Sequence, residues 1–171
     1  MLYKIVKYGD PVLEQVCDPV TDFGSKELEK LVADMFDTMY ANKGVGLAAP
    51  QIGLKKRLTV IDISAGEDPE MQCVFINPEI VSKDGAQVGE EGCLSIPGFR
   101  EDVTRARRAR VRARNVKGET FEIDAEDLLS RAIQHELDHL NGVLFIAHLS
   151  PLKRDMIRRK VRKLQKSGEW E

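Results

Sequence analysis

Apolar residues recur at helical spacing in three stretches of the chain. Between residues 25 and 41, Leu28, Leu31, Val32, Met35 and Met39 form one stripe, the pattern of a helix with a single buried face. Ser25 stands as its N-cap and Glu27 lies in its first turn, both start signals. Residues 125–140 predict a second helix, with Asp124 as N-cap and Asn141-Gly142 at its end. Residues 151–166 predict a third, opened by Ser150 as N-cap and Pro151 at the first helical position. Leu152, Met156, Val161 and Leu164 supply its docking side. Residues 10–17 allow one or two helical turns after the Gly9-Asp10-Pro11 breaker.

Elsewhere the period is two or absent. Residues 57–63 and 73–81 are rich in Val and Ile and predict strands. Residues 103–125 predict a hairpin in which Arg108, Arg110, Arg112 and Arg114 alternate with Ala109, Val111 and Ala113. One face is therefore charged and the other apolar. Lys117-Gly118 makes the turn, and Phe121 and Ile123 return on the apolar face. Lys43 to Gly53 is Gly-rich and contains Pro50, so it reads as a loop or irregular strand. Helices and strands do not alternate regularly. The fold class expected is α+β, with antiparallel sheets and short strands around the second helix and a C-terminal helix.

Composition narrows this further. The 171 residues, 42% hydrophobic and 32% charged, predict a single domain spanning 1–171, with neither disorder nor low complexity. No apolar run approaches the roughly 20 residues of a membrane helix, and the N-terminus resembles no secretory or transit signal. Cys17, Cys73 and Cys93 are too few and scattered for a disulfide framework, which fits a reducing, cytoplasmic setting. The net charge of −2 is uneven. Residues 1–99 carry 9 basic and 16 acidic side chains, and residues 100–171 carry 17 and 12. The basic part suits a polyanionic neighbour, or it is a solvated surface.

The chemistry concentrates on the second helix, at His135-Glu136-Leu137-Asp138-His139. Two His at i and i+4 share one face, so both imidazoles can reach one metal ion while Glu136 reaches a water on it. The alternative is a chance match on an amphipathic helix. Two downstream ligands known from zinc peptidases are missing. A His is required where Phe145 stands, with His148 three residues too late, and Arg159 occupies the position of a distant Glu. Upstream, Cys93 lies between Gly92 and Leu94-Ser95, where a thiolate would suit a borderline-soft divalent metal. Taken alone, it fits a buried structural thiol at least as well.

Three segments together resemble the hallmark motifs of the peptide deformylase family: Gly44-Val45-Gly46-Leu47-Ala48-Ala49-Pro50-Gln51, Glu91-Gly92-Cys93-Leu94-Ser95 and Gln134-His135-Glu136-Leu137-Asp138-His139. They stand in the family's order, and the likeness extends over essentially the whole chain. The resemblance implies a metal-dependent hydrolase that removes the formyl group from the N-terminal formyl-methionine of new polypeptides. It implies one divalent metal on Cys93, His135 and His139, most often Fe(II), with Zn, Ni or Co as substitutes. Glu136 is then the general base, and Gln51 and the N–H of Leu94 stabilise the oxyanion. Val45, Gly46 and Gly92 would contact the peptide main chain, with Arg100 near its path. Leu128 and Ala132 would line the methionine pocket.

Arg131 stands where the family often has an aliphatic residue, and is expected to snorkel at the pocket rim with its head in water. The resemblance implies that the basic last helix contacts the ribosome, the alternative being a solvated amphipathic helix, and no membrane or DNA partner is expected. A peptidase that cleaves internal bonds, and a non-catalytic module with a structural metal, are the competing readings.

Overall fold

A computed structural model describes residues 1–170; Glu171, the last residue of the expected domain, lies outside the described residues. The elements in chain order are α1 (Lys26–Ala41), β1 (Gly46–Ala48), β2 (Leu58–Ile61), β3 (Cys73–Asp84), β4 (Gln87–Cys93), β5 (Ile96–Arg105), β6 (Arg108–Arg114), β7 (Thr120–Glu126), α2 (Asp127–Leu140) and α3 (Pro151–Lys166). Single 3-10 turns at Pro11–Glu14, Ala49–Ile52, Pro69–Met71 and Phe145–His148 connect them. The strands form two antiparallel sheets, one of five strands ordered β1-β2-β3-β6-β7 and one pairing β4 with β5. The class is α+β. No helix among the described residues is long and apolar enough to cross a membrane.

The apolar periods explain the layers. In α1, Ser25 Oγ accepts from the N–H of Leu28 and so caps the helix. Its stripe packs on Leu58, Val60 and Ile76 from one face of the larger sheet. Alternate residues on the other face, Ile61 and Phe75, join Ala109, Val111 and Ala113 against Ala132, Ile133 and Leu137 of α2. The helix that carries the candidate chemistry therefore backs onto a sheet buried on both sides. A further cluster joins Leu13, Ile96, Phe145 and Trp170 to Ile157 and Val161 of α3.

Several boundaries differ from the sequence expectation. The hairpin is β6–β7 alone; residues 103–105 belong to β5, which pairs with β4. Asp124 does not cap α2. The strand continues to Glu126, paired with Arg108, while the Asp124 carboxylate binds Arg110. Ladder pairing thus holds residues 124–126 extended, and α2 begins at Asp127 without a side-chain cap. On α3, Leu152 and Met156 are exposed, whereas Ile157 and Val161 are buried. The docking line runs through Ile157, Val161 and Leu164, because Leu152 and Met156 fall outside that i, i+4 row. The end of α2 is as expected: Gly142 turns at φ 75°, and a Cβ there would lie 2.8 Å from the carbonyl carbon of Glu14.

Candidate metal centre and substrate cleft

α2 meets the β4–β5 hairpin at the end of β4, where the ladder shifts register between Gly92 and Cys93. This brings the thiol of Cys93 to both imidazoles of α2. One ligand atom from each of Cys93, His135 and His139 lies within 4.8 Å of the others. Cys93 Sγ is 3.4 Å from His139 Nε2, close to the roughly 3.5 Å between ligand atoms on a tetrahedral ion with bonds of about 2.1–2.3 Å. The set can hold a divalent metal. His148 takes no part; it pairs with Asp138 at 2.8 Å.

The surrounding bonds orient these ligands. His135 Nδ1 contacts Glu91 Oε1 at 2.9 Å, which leaves Nε2 for an ion. Burial works against a charged His135, but its contacts with Cys93 and Glu91 prevail and raise it to about 10. A metal must therefore displace a proton there. Burial, then the nearby positive His135, lowers His139 well below the usual imidazole range. Glu91 would be raised by burial, yet bonds from Arg105 and His135 hold it far below the usual carboxylate range.

Glu136 lies beside the ligands, and burial raises its carboxyl to about 7. Its Oε2 and His139 Nδ1 are the buried side-chain polar atoms left without a partner among the described residues. An unmet carboxylate oxygen next to three ligand atoms is suited to a water or an amine. Its other oxygen rests against Gly46, where a Cβ would lie 2.6 Å from Glu136 Oε1. A side chain at 46 would push that carboxylate from its place. Gln51 is fixed likewise: its Oε1 accepts from the N–H of Ala48, and its Nε2 faces Ser95 Oγ at 3.3 Å and Cys93 Sγ at 3.5 Å.

These groups open onto a cleft of about 730 Å³. Val45, Gly46, Gln51, Gly92, Cys93, Leu94, Arg100, Leu128, Ala132, His135 and Glu136 all line it, so it collects the residues singled out in the sequence except His139. His139 lies behind, 1% exposed. β1 forms one end of the larger sheet, so its outer edge is free beside the cleft. Val45 is held there by the N–H of Asp62, whose carboxylate in turn accepts from Tyr40 and Ser64. Arg100 is exposed at the rim and pairs with Glu90.

Arg131 is the correction. It does not reach water; it is 6% exposed, and its guanidinium donates to Glu91 Oε2 and to the carbonyls of Val103, Gly89 and Gln87. The buried carboxylate of Glu91 and the strand carbonyls outcompete solvent for the head group. Arg105 was not foreseen. It grips both oxygens of Glu91 at 2.9 Å and also reaches Asp138. The only signal for it was Glu91 itself, an acid inside an apolar motif that needs a partner once buried.

Comparison with known proteins agrees with the site. The family model described as polypeptide deformylase matches residues 2–155. A peptide deformylase of Acidobacterium capsulatum is 59% identical over 170 residues, covering 99% of each chain. Peptide deformylase 1 of Burkholderia multivorans is 52% identical over 97% of this chain and 91% of its own. The crystal structure of a peptide deformylase from Legionella pneumophila superposes with a TM-score of 0.91 at 47% identity, covering 100% of this chain and 99% of that one.

Proposed function

The chain belongs to the polypeptide deformylase family, and from that membership we propose how its residues divide the work. The reaction removes the N-terminal formyl group from nascent formyl-methionyl peptides by hydrolysis. Cys93 Sγ, His135 Nε2 and His139 Nε2 hold one divalent metal, Fe(II) by preference, with Zn, Ni or Co able to use the same donors. When bound, the ion supplies Lewis acidity to the attacking water and the formyl carbonyl.

The chain's own groups do the rest. Glu136 accepts a proton from the attacking water at Oε2. The water oxygen bonds to the formyl carbon, and the Nε2 amide of Gln51 and the N–H of Leu94 stabilise the resulting oxyanion. Each such donor contributes roughly 3–4 kcal/mol to barrier lowering. The C–N bond then breaks, and Glu136 returns its proton to the departing amine, leaving formate and a free N-terminus. With its carboxyl raised to about 7, Glu136 both takes and gives a proton near neutrality.

The peptide lies extended along the edges of β1 and β4, with Val45, Gly46 and Gly92 offering main-chain bonds and Arg100 beside its path. The methionine side chain fits against Leu128 and Ala132. We further take residues 1–171 as one catalytic domain working in the cytoplasm. Its exposed basic residues on α3, Arg159, Lys160, Arg162 and Lys163 among them, touch ribosomal RNA through salt-sensitive contacts.

The observation that carries this reading is the unmet Glu136 Oε2 beside the Cys93, His135 and His139 cluster. The test is formate release from formyl-Met-Ala-Ser by protein loaded anaerobically with Fe(II). The parent should release formate rapidly, and Cys93→Ala and Glu136→Gln should fall to near zero. A folded, loaded Glu136→Gln variant that retained activity would overturn the assignment.

A further inference from the structure

Glu91 takes four contacts from three side chains. Arg105 donates through Nε to Oε2 and through NH2 to Oε1, both at 2.9 Å, and His135 Nδ1 meets Oε1 at 2.9 Å. The fourth comes from Arg131, whose NH1 meets Oε2 at 2.5 Å. Arg131 sits one helical turn before His135 on α2, so the two side chains emerge from the same face. Its guanidinium also binds the carbonyl of Val103 on β5 at 2.9 Å and those of Gly89 and Gln87 on β4 at 3.3 Å. It lies flat on the hairpin: a Cβ at Gly89 would meet its Cζ at 3.2 Å. One planar cation therefore fastens both strands of the hairpin and the carboxylate behind His135 to a single helix.

We propose that Arg131 is a positioning residue for the metal centre, acting through Glu91 on His135, and not simply a wall of the methionine pocket. The proposal rests on reading His135 as a ligand. Among the described residues, Nδ1 of His135 is held by its bond to Glu91. Glu91 can hold the ring in place only while its own two oxygens are fixed. Arg105 holds the carboxylate by both oxygens from β5 and reaches α2 only indirectly, through Asp138. Arg131 ties the same carboxylate, and carbonyls of both hairpin strands, directly to α2, the helix that bears His135, and so helps set the distance between hairpin and helix across which the ion would be shared. Arginine fits this task because its fork serves a carboxylate and carbonyls together; a lysine ammonium offers one point of charge.

The test loads parent, Arg131→Leu, Arg131→Lys and the exposed control Arg107→Leu with Co(II). It records the thiolate-to-metal absorption band and the rate at which a chelator removes the ion. Arg131→Leu should lose Co(II) about 10–100-fold faster, the range seen when groups that orient ligands are removed, and its band should shift. Arg131→Lys should fall between parent and Arg131→Leu, and Arg107→Leu should match the parent. If Arg131→Leu does not fold, Arg131→Lys is read alone, with a Co(II) loss rate equal to the parent's counting against the proposal. Kinetics with formyl-Met-Ala-Ser separate the pocket role. A raised KM with unchanged Co(II) release and an unshifted band would make Arg131 a pocket wall only and overturn the inference. A parent that showed no thiolate band would sink the ligand assignment itself, and this inference with it.

Discussion

Arg105 and Arg110 lie five residues apart on consecutive strands of different sheets, and each holds carboxylates. Arg105 grips Glu91 through both oxygens and reaches Asp138. Arg110 binds both oxygens of Asp124 at 2.8 Å and Glu122 at 3.0 Å. The bond counts are alike, but the side chain of Arg105 is 4% exposed and that of Arg110 43%. Water can replace every partner of Arg110. The Glu91 partner of Arg105 is 5% exposed and closed to water, so removing either member of that pair leaves a charge stranded in the interior. The difference teaches that an ion pair gains leverage over a functional site through burial, not through geometry alone. The β6 ladder of Arg108, Arg110 and Arg112 is surface dressing on a strand. The Glu91 network reaches His135 of the candidate metal cluster.

Four measurements press on that contrast. The largest effect is expected from Glu91→Ala, which strands Arg105 and Arg131 together. Urea denaturation of the apo-protein should show a loss of about 3–5 kcal/mol, the range for breaking a buried pair. Arg105→Leu should cost less, about 1.5–3 kcal/mol, as for lost hydrogen bonds to a charged group, because Arg131 and His135 still engage Glu91. An equal loss in both would mean that Arg131 contributes nothing to the network.

Chelation comes third. The ion would link the β4–β5 hairpin to α2, so stripping it should lower the melting temperature by an amount that grows with the free metal concentration in the loaded sample. A melt indifferent to chelator would mean that hairpin and helix are already locked without it. The smallest effect belongs to Arg108→Ala, Arg110→Ala and Arg112→Ala, singly or combined with 1 M salt. Their urea midpoints should stay within scatter of the parent, since exposed pairs are weak and screened. A clear drop would erase the distinction drawn between the two regions.

The same contrast marks what was legible in the sequence. Ser25 and Ser150 cap α1 and α3 as their positions suggest, and the Arg/Ala/Val alternation places β6 correctly, with Ala109, Val111 and Ala113 buried. These features obey local rules, so the sequence displays them openly. The β4–β5 hairpin was hidden because Gly89, Gly92 and Gly98 dilute strand propensity. Its inner face is also built from Glu91 and Arg105, residue types that ordinarily mark the outside. Asp124 misled as a cap because a local signal lost to the ladder between β6 and β7. At the site, Cys93, His135, Glu136 and Gln51 stand in recognisable motifs. Arg131 stands one turn before His135, but its partners lie on the distant hairpin, and Arg105 follows no spacing rule; only the folded chain joins both to Glu91.

Gly46 and Glu136 are ninety residues apart, yet they share one small volume, since the carboxylate fills the space that a side chain at 46 would need. The two positions are therefore bound in heredity as well as in space. While the chain is under selection for its chemistry, an alanine at position 46 is disfavoured, because its methyl would displace the Glu136 carboxylate. A duplicated copy released from that selection, and free to lose its acid at 136, would also be free to accept alanine at 46.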